Sequence, residues 1–246
     1  MLNLRFTAIF LFLIPVFLLS GCTKNFKSAL GSVQEAIALS RGTEVTPEYI
    51  KSLPYANSLV TINDAKPILL ILAYVDKNPI NDAYQLTWLA ADKGTIVTEN
   101  GRIIHTTGFD TNNLESLSAN EKTLPQPNSA ESWLAIYDWT PGYRFNFTAD
   151  VNNHSLGMTT ISTELWTQEA EHIQESVSFG SLNSRFINDF WVAPETKNTK
   201  AFVVKSIQYL GPKMDKVEMI MMRPFVETIS DASDTKITSN TKDSES

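Results

Sequence analysis

The sequence predicts an all-β fold, in which a single antiparallel, strongly curled sheet forms a barrel or half-barrel, with a short N-terminal helix and a disordered C-terminal tail. Between residues 60 and 222, short runs of alternating apolar and polar residues follow one another, separated by turn-forming residues. No long helical pattern separates these runs, which argues against a parallel sheet with crossover helices. Charged residues occur on both faces of the runs, unlike the lipid-facing strands of a transmembrane barrel.

The N-terminus is typical of an exported protein. Arg5 is followed by an apolar run over residues 6–19, shorter than the roughly 20 apolar residues that a membrane-spanning helix needs. The run ends in Leu19-Ser20-Gly21-Cys22, which resembles the lipobox of bacterial lipoproteins. The resemblance implies that residues 1–21 are a lipoprotein signal peptide and that Cys22 is lipidated. The alternative is an ordinary export signal with a chance cysteine.

Lipidation of Cys22 defines the expected location of the protein. Acyl chains on Cys22 are the predicted membrane contact, because each CH₂ buried in the bilayer contributes about 0.8 kcal/mol to the free energy of membrane binding. In lipoproteins of diderm bacteria, Asp after the cysteine favours retention in the inner membrane. Thr23 stands there in this chain, which indicates the outer membrane, with the domain facing the periplasm.

Composition narrows the classes of partner and cofactor. Cys22 is the only cysteine, so no disulfide can form within the chain and the fold must depend on its hydrophobic core. The formal charge is −7 and Lys/Arg clusters are absent, which argues against a nucleic-acid partner. Glycine-rich phosphate-binding loops are also absent, so no cofactor is expected.

Four segments are predicted along the chain. After the signal peptide, residues 22–43 form a lipidated tether, in which apolar residues at helical spacing predict a short helix. Residues 44–226 form the β domain, and residues 227–246 are too polar to offset their ordering entropy, which predicts a disordered tail. The apolar positions of the tether helix are Phe26, Leu30, Val33 and Ile37.

The β domain is expected to hold roughly ten to twelve strands. Asn100-Gly101 is the strongest hairpin signal, because both residues accept the positive φ of a type I′ turn. The stretch 120–130 contains Pro125 and Pro127 and is interpreted as a long loop within one domain, the alternative being a linker between two subdomains. The other predicted strands fall at residues 68–75, 84–88, 95–98, 102–106, 133–137, 143–147, 200–209 and 217–222.

No catalytic constellation is found in the sequence. The three histidines are far apart, and no serine lies in a nucleophile elbow. The best metal candidate is Glu169-Ala170-Glu171-His172 with Glu175. On a strand these ligands would diverge, and on a helix His172 and Glu175 would converge but make a poor site alone, so no metal is expected. Asp138 beside Trp139 is the first pair to inspect for carboxylate-based glycoside hydrolysis, against the simpler interpretation of a surface aspartate.

The tryptophans divide into core and binding candidates. Alternation favours core positions for Trp88 and Trp133. Trp139 precedes the Pro141-Gly142 turn, which predicts a position at the surface rather than in the core. Aromatic and arginine side chains dominate binding hot spots, so Trp139, Tyr143 and Arg144 are the predicted ligand- or partner-binding residues.

Several stretches together resemble the group 4 capsule polysaccharide lipoprotein family (GfcB/YjbF). The resemblance covers about residues 44–225, and its blocks keep their order along the chain. They are Val45-Thr46-Pro47-Glu48-Tyr49-Ile50-Lys51-Ser52-Leu53-Pro54-Tyr55-Ala56, Leu70-Ile71-Leu72-Ala73-Tyr74, Trp88-Leu89-Ala90-Ala91-Asp92, Thr98-Glu99-Asn100-Gly101-Arg102-Ile103, Asp138-Trp139-Thr140-Pro141-Gly142-Tyr143-Arg144, Asn188-Asp189-Phe190-Trp191-Val192 and Ser206-Ile207-Gln208-Tyr209-Leu210-Gly211-Pro212.

The resemblance implies an outer-membrane lipoprotein with a barrel-like fold that acts, without catalysis, in the secretion or assembly of a capsule or exopolysaccharide. It also implies a large outer-membrane β-barrel protein of the same pathway as a partner, and no catalytic residues. Two alternatives stay open: a periplasmic carrier of an apolar ligand, and a glycan-modifying enzyme. The lining of the concave surface discriminates among them, since aromatics with amides favour glycan, an apolar trough favours lipid and paired carboxylates favour hydrolysis.

Overall fold

The computed structural model describes residues 45–81, 83–120, 123–129 and 132–227. In these residues the protein contains one α-helix, twelve β-strands and one turn of 3-10 helix at Gly180–Leu182. The elements are α1 (Pro47–Ser52), β1 (Asn57–Ile62), β2 (Ile68–Lys77), β3 (Tyr84–Ala90), β4 (Thr95–Glu99), β5 (Arg102–Thr107), β6 (Asn113–Ala119), β7 (Trp133–Thr140), β8 (Arg144–Ser162), β9 (Thr167–Phe179), β10 (Ser184–Ala193), β11 (Phe202–Tyr209) and β12 (Lys216–Arg223).

All twelve strands form one antiparallel sheet that is nearly closed into a barrel, which confirms the predicted fold class. Strands adjacent in sequence are adjacent in the sheet except for β5 and β6, and β1 pairs with β12. The edges of the sheet are therefore β5 and β6. Two contacts bridge this seam: the Leu114 N–H donates to Thr106 Oγ1 (2.9 Å), and the His105 ring Nδ1 lies 2.7 Å from the Glu115 carbonyl oxygen.

The predicted hairpin at Asn100-Gly101 is confirmed. These two residues join β4 to β5, with φ angles of 52° and 76°, as a type I′ turn requires. Gly101 is also required by packing, because a Cβ at this position would lie 2.2 Å from Cγ2 of Val203 in β11. The turn thus packs against a strand that is distant in the sheet.

A buried ion pair connects distant strands across the barrel interior. Arg102 Nη1 of β5 lies 2.6 Å from Glu175 Oε2 of β9, with side-chain exposures of 1% and 3%. The guanidinium carbon lies 5.1 Å from the ring centroids of both Trp133 and Phe190. Because β5 and β9 are not neighbours in the sheet, the pair fixes the distance between opposite walls of the barrel.

The N-terminal helix lies outside the predicted tether. Thr46 caps α1 through its hydroxyl oxygen, which accepts from the Tyr49 N–H (3.2 Å), and Pro47 occupies the first turn. Ile50 and Leu53 pack with the buried side chains of Leu69, Ile71 and Met222. The helix predicted around residues 26–37, Cys22, the signal peptide and tail residues 228–246 lie outside the described residues.

Strands β8 and β9 form a ribbon much longer than the sequence predicted. β8 has 19 residues and β9 has 13. The far end of this ribbon is attached to the barrel by Trp166, whose indole N–H donates to the Met221 carbonyl oxygen (2.9 Å). Within the described part of the chain, no helix has the length and apolar character needed to cross a membrane.

Candidate functional site

Trp139 is a core residue, so its predicted surface position is wrong. Its side chain is 3% exposed, and its indole N–H donates to the Leu210 carbonyl oxygen (2.7 Å). The ring stacks on Tyr137, with centroids 5.6 Å apart. β7 continues through Thr140, so Trp139 shares the buried face with Tyr137, two residues earlier.

The other two predicted site residues lie at the surface but make different contacts. Tyr143 is fully exposed. Arg144 is half-buried: its Nη2 donates to Asn112 Oδ1 (2.8 Å) and its Nε donates to the Pro141 carbonyl oxygen (3.2 Å). The structure therefore does not bring Trp139, Tyr143 and Arg144 together into one exposed site.

The carboxylates that the sequence offered for chemistry have structural partners. Asp138 accepts from the Ser116 hydroxyl (2.7 Å) and from the Asn146 N–H (2.6 Å), so it holds a β-bulge in place. His172 Nε2 lies 2.8 Å from Asp189 Oδ1. In the described parts of the chain, no group of three His, Cys, Asp or Glu residues is placed to hold a metal ion.

A concave feature of the described residues is a 460 Å³ cleft, within the size range of small-molecule sites. Its walls come from β3, β4 and the turn after β4 on one side, and from β11, β12 and the segment after β12 on the other. The segment 123–126 closes a third side. The principal lining residues are Asn81, Tyr84, Leu86, Trp88, Thr98, Asn100, Gly101, Leu124, Gln126, Lys200, Phe202, Val203, Met221, Pro224, Phe225 and Glu227.

One wall of the cleft is held by a buried carboxylate. Glu99, 2% exposed, accepts hydrogen bonds of 2.9 Å from the side-chain amides of Asn78, Asn81 and Gln85. Two of these amides belong to the connection between β2 and β3. Three donors satisfy a charge that would otherwise be costly to bury, so Glu99 fastens this connection to β4.

A second set of amides fastens the segment 123–126 to the β4–β5 turn. Asn100 Nδ2 donates to the Leu124 carbonyl oxygen (2.9 Å), and Gln126 Nε2 donates to Asn100 Oδ1 (2.9 Å). Beneath them, Arg102 Nε donates to the Pro125 carbonyl oxygen (3.2 Å). The buried ion pair of the barrel interior thus also supports a wall of the cleft.

Aromatic side chains supply the apolar part of the lining. Tyr84 and Phe225 meet edge to face, with ring centroids 5.5 Å apart. Trp88 is fully buried at the base, and its indole N–H donates to Thr98 Oγ1 (3.0 Å). A half-buried aromatic corner beside side-chain amides provides both the apolar face and the hydrogen-bonding groups that a sugar ring uses.

The charges in the lining are paired with each other. Lys200 and Glu227 form an ion pair at the rim of the cleft. The hydrogen bond to Glu227 raises the pKa of Lys200 above its ordinary value, so this lysine is protonated at neutral pH. The paired rim charges leave the lining electrically neutral among the residues described there.

A smaller and more apolar cavity of 220 Å³ adjoins the cleft. It shares Phe202, Met221 and Pro224 with the cleft, and adds Trp166 and Val204. None of these residues was predicted as a site from the sequence. Tyr84 and Phe225 meet only through the pairing of β1 with β12, a contact that no local pattern predicts.

Comparison with known proteins places the chain in a family. The model of "Group 4 capsule polysaccharide lipoprotein gfcB, YjbF" matches residues 26–222. Two relatives from Escherichia coli (strain K12) are an uncharacterized lipoprotein GfcB and an uncharacterized lipoprotein YjbF. Each is 24% identical over 210 residues, covering 84% of this chain and 94% and 93% of the respective relative.

The fold also has a counterpart among solved structures. The crystal structure of the hypothetical lipoprotein YmcC from Escherichia coli (K12) matches with a TM-score of 0.66 and 23% identity, covering 79% of this chain and 96% of that one. At this identity the likeness concerns the fold. Because the family model matches most of the chain, this protein belongs to the group 4 capsule polysaccharide lipoprotein family.

Proposed function

We propose that this capsule-related lipoprotein is a non-enzymatic accessory factor in secreting or assembling a capsule or exopolysaccharide, and that the cleft holds a segment of the polymer. The protein is anchored to the outer membrane by acyl chains on Cys22, with its domain facing the periplasm. The observation that carries the proposal is the cleft lining, where an aromatic corner lies beside side-chain amides.

The chemistry of the cleft supports binding rather than catalysis. Glycoside hydrolysis uses two carboxyl groups on either side of the scissile bond. Glu227, the carboxylate among the described lining residues, is paired with Lys200, and Glu99 behind the wall is held by three amides. Neither group is arranged as a free acid or base beside a second carboxylate.

The adjoining 220 Å³ cavity favours a second candidate function, the transport of an apolar ligand. Its lining is almost entirely apolar, with Gln168 as the polar exception. Displacement of a fluorescent fatty acid from the purified protein tests this candidate. Displacement by lipid and not by oligosaccharide would favour the carrier over the polysaccharide factor.

The exposed Tyr143 and the adjacent Arg144 are proposed as a contact for a partner, an outer-membrane β-barrel protein of the same pathway. Tyr143 offers a fully exposed ring, and Arg144 is held in position by Asn112 and Pro141. Ordered arginine and tyrosine side chains are favourable hot-spot residues at protein interfaces.

The role and the location are tested together in cells. A strain lacking the gene is complemented with the wild-type protein or with Cys22→Ser, and surface polysaccharide, membrane fractions and incorporation of a fatty-acid analogue are measured. We expect the strain without the gene to lose surface polysaccharide. The wild-type protein should be found in the outer-membrane fraction, and the Cys22→Ser protein should incorporate no fatty-acid analogue. Unchanged polysaccharide would contradict the role, and equal label in Cys22→Ser would contradict the anchor.

A further inference from the structure

The charged side chains in and directly behind the described lining of the cleft already have hydrogen-bond or ion-pair partners within the protein. Among the described lining residues the charged side chains are Lys200 and Glu227, which pair with each other. Behind the lining, Glu99 accepts hydrogen bonds from three side-chain amides, and Arg102 is paired with Glu175. A charged ligand would therefore have to compete with a partner that each of these groups already has within the protein.

A further cation lies beside the cleft, outside its lining. The ammonium of Lys77 lies 5.4 Å from the centroid of the Tyr84 ring, and Lys77 is not part of the lining. The formal charge of the chain is −7, so its long-range field repels polyanions.

We infer that the cleft selects an uncharged stretch of sugar residues and disfavours uronate or other acidic residues. This inference rests on the proposed function, in which the cleft holds polysaccharide. An uncharged sugar can place its apolar ring face on the corner formed by Tyr84 and Phe225. Its hydroxyls can then face the amides of Asn81 and Gln126, each of which keeps a second N–H besides the one it donates within the protein. A carboxylate in the same position loses hydration, and the cation of the described lining, Lys200, is already paired with Glu227, which opposes binding.

The test compares two forms of one sugar chain, with free carboxylates or with methyl esters in their place. Oligogalacturonate and its methyl-esterified form are titrated calorimetrically into the lipidated, full mature protein in detergent micelles. The esterified form is expected to bind at least about tenfold more tightly, an ordinary difference for one uncompensated charge. In Glu227→Gln, Lys200 is released, so affinity for the acidic ligand should rise about tenfold.

A control variant carries the same change of charge away from the cleft. Glu218 pairs with Lys205 at 2.7 Å, and neither residue lines the cleft. Glu218→Gln should therefore leave the ligand preference unchanged. If wild-type protein binds the acidic form as tightly as the esterified form, selection for neutral sugar is wrong while polysaccharide binding stands. If both forms and neutral cello-oligosaccharides fail to bind, polysaccharide binding by the cleft is wrong as well.

Discussion

The cleft and the turn at residues 139–144 differ in how their aromatic side chains are used. In the cleft, Tyr84 and Phe225 meet edge to face and remain accessible from a concave surface. At the turn, Trp139 is buried and its indole N–H donates to the Leu210 carbonyl oxygen, while Tyr143 is fully exposed. An aromatic residue next to a turn is therefore not evidence of a binding site, because the strand's alternation decides which face it occupies.

The two regions also differ in what fixes them. Walls of the cleft are attached to a buried polar network, through Glu99 on one side and through Asn100 and Arg102 on the other. The turn is fixed by packing of Trp139 and by Asp138, which accepts from the Asn146 N–H. Breaking the polar network should thus affect stability and the cleft together, whereas changes at the surface of the turn should affect neither.

The largest effect is expected for Arg102→Met. Removing one partner of a buried ion pair leaves Glu175 unpaired, which should lower the free energy of unfolding by about 3–5 kcal/mol. Chemical denaturation measures the change. A pair much less buried offers the control, since Lys205→Met removes an ion pair with Glu218 in which the side chains are 22% and 28% exposed and should cost only about 0–1 kcal/mol. Equal effects at the two sites would contradict the supporting role of the interior pair.

A comparable loss is expected for Trp139→Ala. Truncating a buried tryptophan costs about 3–5 kcal/mol, and the Leu210 carbonyl oxygen also loses its donor. The matched change at the turn surface is Tyr143→Ala, which should stay within about 0.5 kcal/mol of wild type. If the Trp139→Ala protein were as stable as wild type, Trp139 would not be a core residue, and the surface position predicted from the sequence would be supported.

Deleting residues 228–246 should have the smallest effect on stability. The segment contains few apolar residues, and the cleft rim already ends in the pair of Glu227 with Lys200. The melting temperature is expected to change by no more than about 2 °C, a small change for a domain of this size. A decrease several times larger in a thermal scan would show that the tail stabilises the domain.

The fold was predictable because its signals are local. Alternation identified most strands, and Asn100-Gly101 identified the hairpin, whose positive φ angles follow from residue type. α1 was missed although Thr46, Pro47 and Glu48 form a helix-start signal. The full ribbon of β8 and β9 was missed because polar residues interrupt its apolar alternation, so only its pairing reveals its length.

The cleft was not predictable because its walls are joined by tertiary contacts. Tyr84 and Phe225 are far apart in sequence and meet through the closing of the sheet. The position of Trp139 could have been predicted, since Ala135, Tyr137 and Trp139 share one face of β7. A period of two places all three inside, and this pattern is stronger evidence than the neighbouring turn.

The central claim, that the cleft and not the turn carries polysaccharide binding, is tested most directly by paired complementation. The deletion strain receives either Tyr84→Ala with Phe225→Ala, or Tyr143→Ala with Arg144→Ala, each at matched protein abundance, and calorimetry measures neutral oligosaccharide binding by each purified protein. The cleft variant should lose binding and surface polysaccharide, whereas the turn variant should retain binding. The account would be contradicted if the cleft variant kept wild-type oligosaccharide binding and surface polysaccharide while the turn variant lost oligosaccharide binding.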